Sequence, residues 1–321
     1  MAKEMGKDEI QGEELTQRIP PVLGLVIGVL AVSTASTFIR LAQTSISSLA
    51  VAAWRLTIAS LLLAPLAVMR CRAEWRALSR REWGWAIASG VILAIHFYTW
   101  ITSLAMTSVA ASVVLVTTSP LFVAVISHFV LDERLTLPVI VGLVVALVGS
   151  TVIGVGDLSG GGHQLAGDGL ALIGAVAVAL YMLIGRSLRA RLSLLGYIFP
   201  VYGTAALTLM SLALLSGTPL TGYPPRVWLW LVLVALIPQI LGHSSLNWAL
   251  GHLPATYVSL SVLLEPIGSA LLAWLILAEP PTWAAVIGGA LILAGVAVAT
   301  LRKRSSESAA PAESTEEVIS R

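Results

Sequence analysis

The sequence has few charged residues and a single cysteine. Only 11% of its 321 residues are charged, whereas a soluble domain carries roughly 25%. So few charges cannot cover a water-exposed surface, while a hydrophobic fraction of 57% and a mean hydropathy of +0.90 suit a lipid bilayer. Because Cys71 has no second cysteine to pair with, an internal disulfide and a thiolate metal cluster are excluded.

Apolar segments long enough to cross a bilayer follow one another along the chain. A membrane-spanning helix needs about 20 apolar residues, and this criterion predicts an all-α integral membrane protein with ten transmembrane helices. The terminal segments 1–19 and 302–321 are predicted to be cytoplasmic tails, the second of them disordered. The predicted spans are residues 20–42, 46–69, 83–104, 107–131, 137–156, 168–188, 194–216, 227–250, 255–278 and 282–301.

Lysine and arginine predict the orientation, because they concentrate in the cytoplasmic connections of membrane proteins. If both termini are cytoplasmic, the cytoplasmic segments hold 16 of the 19 basic residues. The three exceptions are Arg226, Arg40 and Arg55. We therefore predict a multi-pass protein of the cytoplasmic membrane with both termini inside.

An internal repeat at an offset of 146 residues is the most specific pattern in the sequence. Its unit contains five predicted helices, an odd number, so the second copy must enter the membrane from the opposite face. The sequence thus predicts two inverted five-helix repeats, residues 20–156 and 168–301, with an extracellular linker at 157–167. The matched residues are Gly28, Arg40, Leu104, Pro120, Glu133, Thr136, Gly142 and Gly149 with Gly174, Arg186, Leu250, Pro266, Glu279, Thr282, Gly288 and Gly295.

Short motifs occur in both halves of the chain. They are Ala53-Trp54-Arg55-Leu56, Ser119-Pro120-Leu121, Asp132-Glu133-Arg134-Leu135, Leu264-Glu265-Pro266-Ile267, Ala278-Glu279-Pro280 and the stretch from Gly288 to Gly295. Together they resemble the drug/metabolite transporter superfamily, specifically its tandem EamA-domain exporters. The resemblance covers residues 20–301, and Ala278 stands where the family usually has glycine. It implies a secondary transporter that exports small metabolites, such as amino acids or related compounds, by alternating access.

Polar side chains inside the predicted spans are candidates for a substrate cavity, because polar groups in hydrocarbon usually face a cavity or another helix. Gln239, His243 and Asn247 recur every four residues, which places them on one face of an α-helix. Hydrogen bonding between helices is the alternative role for all these side chains. The candidates on other spans are His96, Thr99, Trp100, Tyr257, Ser33 and Thr37.

Arg55 and Glu265 are the two charged residues predicted near the middle of the membrane, where a lone charge is costly. In one interpretation both face the cavity, with Arg55 attracting a substrate carboxylate and Glu265 accepting a proton. In the other they pair with each other or with backbone groups and only hold the bundle together. Pro120 and Pro266 occupy equivalent places in the repeats and are candidate hinges.

Two other classes of protein were weighed against a transporter. Gly154-Val155-Gly156-Asp157 matches a motif of intramembrane aspartyl proteases, but the predicted spans hold no second aspartate for that chemistry. A receptor or scaffold that transports nothing is the other alternative. We expect no enzyme activity, no cofactor, no metal site and no nucleic-acid partner. The expected partners are membrane lipid and a small-molecule substrate, with proton coupling or exchange left open, and the chain is expected to act as a monomer.

Overall fold

A computed structural model of the chain describes residues 20–131, 136–157, 162–249, 261–262 and 264–301. All regular structure within these ranges is helical, with no strand. Seven helical segments of the described chain are long and apolar enough to cross a membrane, and the three shorter apolar helices are Leu137–Ile153, Glu265–Leu277 and Trp283–Val298. This confirms a multi-pass helical architecture, while the number of ten membrane crossings stays a prediction.

The helices follow the predicted spans closely at most of their ends. Serine caps begin several of them; Ser79, for example, exchanges hydrogen bonds with Glu82 at the start of one helix in a capping box. In chain order they are α1 (Pro21–Ser33), α2 (Ala35–Gln43), α3 (Ser48–Arg70), α4 (Arg72–Arg76), α5 (Arg80–Leu104), α6 (Val109–Val116), α7 (Ser119–Leu131), α8 (Leu137–Asp157), α9 (Gly162–Arg189), α10 (Leu194–Leu215), α11 (Pro225–Val234), α12 (Ser244–Ala249), α13 (Glu265–Leu277) and α14 (Trp283–Leu301).

Three predicted spans are interrupted helices rather than continuous ones. The first span breaks at Thr34, and the fourth breaks just before Pro120. Between α11 and α12 the chain forms a π-helical segment, Ala235–His243, which contains Pro238. A proline removes a backbone donor and collides with the preceding turn, so a wider helical turn at Pro238 has a local cause.

The region between the two repeats is more helical than the sequence predicts. Helix α8 continues through Asp157, and α9 already begins at Gly162, although 157–167 were expected to form a linker. Glycines weaken a helix but do not forbid one. Another short helix, α4, lies between α3 and α5, where Trp75 donates a hydrogen bond of 2.9 Å to the carbonyl of Gly196.

Glycines bring the last helix of each repeat into backbone contact. A Cβ on Gly149 would lie 2.6 Å from the carbonyl oxygen of Gly288, and one on Gly295 would lie 2.6 Å from that of Gly142. Because Gly142 meets Gly295 while Gly149 meets Gly288, α8 and α14 run antiparallel. Small residues permit such close approach between membrane helices, as the sequence predicts for these glycines.

The same kind of contact between the two halves occurs twice, with the roles of the halves exchanged. Helix α9 packs on α5 where Gly174 meets Trp100, and α1 packs on α12 where Gly28 meets Leu246. Gly28 and Gly174 are equivalent in the repeat, as are Trp100 and Leu246, which are also 146 residues apart. The two halves are therefore related by an approximate two-fold exchange.

Hydrogen bonds identify the two ends of the bundle. At one end, called the Glu279 end, Arg40 connects the end of α2 with Glu279 and with the last residue of α5. At the opposite end Arg191 pairs with Glu82. The basic residues at this arginine-rich end, within the described chain, are Arg70, Arg72, Arg76, Arg80, Arg81, Arg186, Arg189 and Arg191.

Candidate functional site

Arg55 is fully buried inside the bundle, with 0% of its surface exposed. It lies seven residues into α3, about 10 Å from the start of that helix at the Glu279 end. Its Nε donates a hydrogen bond of 2.7 Å to Oε1 of Gln239 in the π segment. The guanidinium carbon also lies 4.2 Å from the centre of the Phe97 ring, which is a favourable cation–π distance.

The two terminal nitrogens of Arg55 have no hydrogen-bond partner in the part of the chain that the structure describes. Nε1 of Trp100 is also buried without a partner among the described residues, whereas the hydroxyls of Tyr202 and Ser244 lie close enough to interact with each other. Tyr202 lies beside both Gln239 and Ser244, and Trp100 lies 5.9 Å from the Arg55 guanidinium. Since buried polar groups are normally paired, this cluster has unused capacity to bind a polar ligand. We call Arg55, Trp100, Tyr202, Gln239 and Ser244 the Arg55 site.

Glu265 begins α13 and is half-buried. It lies twelve residues before the end of that helix, about 18 Å from the Glu279 end. Glu265 is close enough to Arg55 for their charges to interact, but within the described residues these two side chains form no direct ion pair. The sequence leaves two interpretations open, and the choice between a cavity role and a structural role of these two charges stays a prediction.

The predicted candidates on α5 pack mainly against α9. His96 makes a hydrogen bond of 2.9 Å through Nδ1 with the carbonyl of Gly174, and its ring stacks on Trp100. The Thr99 hydroxyl donates to the carbonyl of Ile95 in its own helix. Of these three candidates, only Trp100 has a buried polar atom without a partner within the described chain, and its ring centre lies 5.9 Å from the Arg55 guanidinium carbon.

The predicted row of polar residues on the eighth span lies partly in the π segment and partly in α12. Gln239 is 1% exposed and bonds to Arg55, whereas His243 is half-buried against Phe97, with the ring centres 5.9 Å apart. Asn247 donates a hydrogen bond of 2.9 Å to the carbonyl of His243. Gln239 and His243 both lie in the π segment, and both are close to Arg55, Gln239 through the hydrogen bond and His243 through Phe97.

The remaining candidates lie on other helices. Ser33 donates to the carbonyl of Val29, and its own carbonyl accepts a hydrogen bond of 3.1 Å from Ser269. The Thr37 hydroxyl is buried without a partner. Tyr257 lies outside the described residues.

Pro120 and Pro266 each occupy the second position of a helix, α7 and α13. Proline is tolerated there, because the backbone N–H of the first helical turn has no partner within the helix. A break in the helix directly before Pro120 is compatible with the predicted hinge, which stays a prediction.

Two residues at the Arg55 site are not indicated by the sequence: Ser244, which belongs to the site, and Phe97, which lies beside it. Phe97 supplies the aromatic face beneath the guanidinium, but an isolated phenylalanine in an apolar span gives no signal of such a role. Ser244 directly follows His243 at the end of the π segment. Its position near Tyr202 could be predicted only if the π segment were predicted first.

The groups at the Arg55 site are suited to binding a small polar ligand. No group of three or more metal-ligating side chains occurs among the described residues. A fixed guanidinium with two free donor nitrogens can bind a carboxylate by donating two parallel hydrogen bonds to it. The surrounding indole and hydroxyl groups can then orient the rest of a small polar molecule.

Comparison with known proteins agrees with this architecture. A solved crystal structure of a protein with 23% sequence identity matches with a TM-score of 0.62 over 89% of this chain and 98% of its own, which shows the shared fold. An uncharacterized transporter of Archaeoglobus fulgidus is 26% identical over 84% of this chain and 94% of its own. A probable terminal-alkyne amino-acid exporter of Streptantibioticus cattleyicolor is 30% identical over 57% of this chain and 61% of its own.

The sequence profile of the EamA-like transporter family matches the chain twice, at residues 19–155 and 165–301. These two copies coincide with the two halves that the internal repeat and the exchanged helix contacts define. Membership in a family of transporters also indicates transport rather than catalysis. The protein is a multi-pass membrane protein that belongs to the EamA-like transporter family.

Proposed function

We propose that the protein is a secondary transporter that exports small zwitterionic metabolites, such as amino acids or related compounds, across the cytoplasmic membrane. The observation that carries this proposal is the buried Arg55 guanidinium with two unpaired terminal nitrogens. A buried charge that lacks partners is costly, so a protein that retains one gains most when a ligand supplies the missing partner. A carboxylate fits the planar fork of arginine best.

Glu265 supports a zwitterion over a simple anion. It is half-buried, and its charge acts on Arg55 without a direct pair. A substrate that carries a carboxylate and an ammonium group can be attracted by both residues at once. The amino-acid exporter of Streptantibioticus cattleyicolor handles, by its name, a compound of this class.

Alternating access is the mechanism that we propose. The antiparallel contact of α8 with α14, together with the exchanged helix contacts, supports two inverted halves within ten membrane crossings. Such halves can rock around a central site and expose it to each side in turn. The basic residues favour a cytoplasmic location of the arginine-rich end, and we propose that one chain suffices as a monomer.

A thermal-shift screen of the purified protein tests the substrate class. The panel contains L-amino acids, the matched amines without a carboxylate, the matched carboxylates without an amine, purines and sugars. We expect melting temperature to rise only with zwitterions, since a ligand at about 100 times its dissociation constant stabilises by about 2.7 kcal/mol. Hits are then followed by counterflow of the labelled compound in proteoliposomes. Binding without any flux would favour a receptor. Binding of purines alone would contradict the proposal that the substrate is a zwitterion.

Replacement of Glu265 by glutamine separates coupling from binding. We expect Glu265→Gln to abolish transport driven by a pH gradient, because the amide cannot carry the proton. Exchange of labelled for unlabelled substrate at equal pH should continue. The measurement is uptake into proteoliposomes with and without an imposed gradient. Undiminished pH-driven transport in this variant would remove the proton-carrying role from Glu265.

A further inference from the structure

Arg40 and Glu279 join four separate segments at the Glu279 end of the bundle. Nη2 of Arg40 lies 2.8 Å from Oε2 of Glu279, and Nη1 donates a hydrogen bond of 2.5 Å to the carbonyl of Leu104. The other carboxylate oxygen of Glu279 accepts a hydrogen bond of 2.7 Å from the backbone N–H of Val109. The end of α2, the end of α5, the start of α6 and the connection after α13 are thus tied together. None of these contacts belongs to the Arg55 site.

The helix surface beneath this ion pair contains polar groups without partners. Ser36 and Thr37 lie three to four residues before Arg40, about one helical turn deeper in the bundle. Each is 1% exposed, and neither hydroxyl forms a hydrogen bond within the described chain. Buried hydroxyls normally find partners. Two unpaired ones directly below an ion pair are readily explained if water reaches them when the segments above separate.

A cavity lies next to the ion pair. It has a volume of about 350 Å³ and is lined by Arg40, Gln43, Thr44, Ala105, Leu277 and Glu279. The side chains of Arg40 and Glu279 are 31% and 23% exposed. An ion pair with this much solvent contact is worth little net energy, so it can break and reform during a transport cycle.

The second repeat provides a comparison within the same chain. Arg186 is the equivalent of Arg40, but its side chain is exposed and forms no ion pair or hydrogen bond in the described part of the structure. Leu250 and Glu133, the equivalents of Leu104 and Glu279, lie outside the described residues. Among the described residues, Arg40 therefore has partners and Arg186 has none.

From these contacts we infer that Arg40 and Glu279 form a latch that holds the Glu279 end closed, and that its breakage opens a path to Ser36 and Thr37. This inference rests on the proposed transport function, because it assigns the two residues a role in the alternation of access. The latch is a specific interaction between named side chains, and its opening can be measured without any substrate.

The experiment measures how fast a cysteine beneath the latch reacts with a water-soluble maleimide. The native Cys71 is 1% exposed, and burial raises the pKa of its thiol, so it reacts poorly; it is removed by Cys71→Ala. Ser36→Cys is the first reporter and Thr37→Cys the second. Each reporter is combined with Glu279→Gln, which removes the charge but still offers an oxygen to the Val109 N–H, or with Arg40→Gln.

We expect either latch variant to increase the labelling rate of both reporters by about two- to fivefold, the population change expected when a partly exposed ion pair is lost. Arg186→Gln is the matched control, because it removes the same charge from the equivalent position, and it should leave the rate unchanged. An unchanged rate in both latch variants would overturn the latch, as would an equal increase in the control. The two proposals can fail separately. If the latch variants increase labelling but no compound in the thermal-shift screen binds, the proposed substrate class is wrong and the latch still holds.

Discussion

Arg55→Gln is expected to abolish substrate binding and to leave the unliganded protein as stable as the parent or more so. Each charge-assisted hydrogen bond to a carboxylate contributes about 1.5–3 kcal/mol, so losing two of them should weaken binding more than about 100-fold. Glutamine can still donate a hydrogen bond to Gln239, which keeps the one contact that Arg55 makes with a neighbouring side chain through Nε. The variant also removes a buried charge with two unpaired nitrogens, whose removal costs the free protein little.

Two measurements distinguish a binding role of Arg55 from a structural one. The melting temperature of the free protein reports its stability, and the shift with saturating ligand reports binding. Arg55→Lys is the matched variant: it retains the charge but not the planar fork, so we expect partial binding. A marked fall in the melting temperature of the free Arg55→Gln protein, with ligand binding retained, would show that Arg55 holds the bundle together and binds nothing.

Gly149→Leu is expected to destabilise the protein strongly. Even a Cβ would lie 2.6 Å from the Gly288 carbonyl oxygen and 2.9 Å from Ile292 Cγ1, so a leucine must push α14 away from α8. Overpacking typically costs about 1–3 kcal/mol, and displacement of a backbone contact places this change at the upper end. We expect a clear fall in melting temperature and loss of a single sharp peak in size-exclusion chromatography.

Gly203→Ala is the control for this prediction. Gly203 lies within α10, and a Cβ there would meet no atom within 4 Å. Replacing a helical glycine by alanine should stabilise by about 0.5–1 kcal/mol. Equal losses in Gly149→Leu and Gly203→Ala would mean that close packing of α8 against α14 is not the reason for the glycine.

The sequence predicts the large-scale organisation because that organisation repeats itself. Long apolar segments predict helices through the cost of unpaired backbone groups in lipid, and the shared 146-residue offset pairs Gly149 with Gly295 and Gly142 with Gly288. The close contact of α8 with α14 follows from these glycines. Such features can be predicted from the sequence alone, because they depend on many residues or on residue types with few other uses.

The details of the Arg55 site could not be predicted in the same way. The sequence predicts an α-helix around Gln239 and His243, whereas the chain forms a π segment there that contains Pro238. The bond between Arg55 and Gln239 joins residues that are 184 positions apart. No local pattern encodes such a pair, and the repeat gives no help, since the residues 146 positions from them, Val201 and Leu93, are apolar.

The backbone contact between α8 and α14 also has a consequence for how the protein is made. The last helix of the first half is synthesised long before its partner, which is the last helix of the whole chain. At ribosomal rates of about 5–20 residues per second, the glycine face of α8 waits on the order of ten seconds for α14. During that interval lipid, the insertion machinery or a neighbouring nascent chain must cover the glycine face. In a chain truncated before α14, the glycine face would never meet its partner helix.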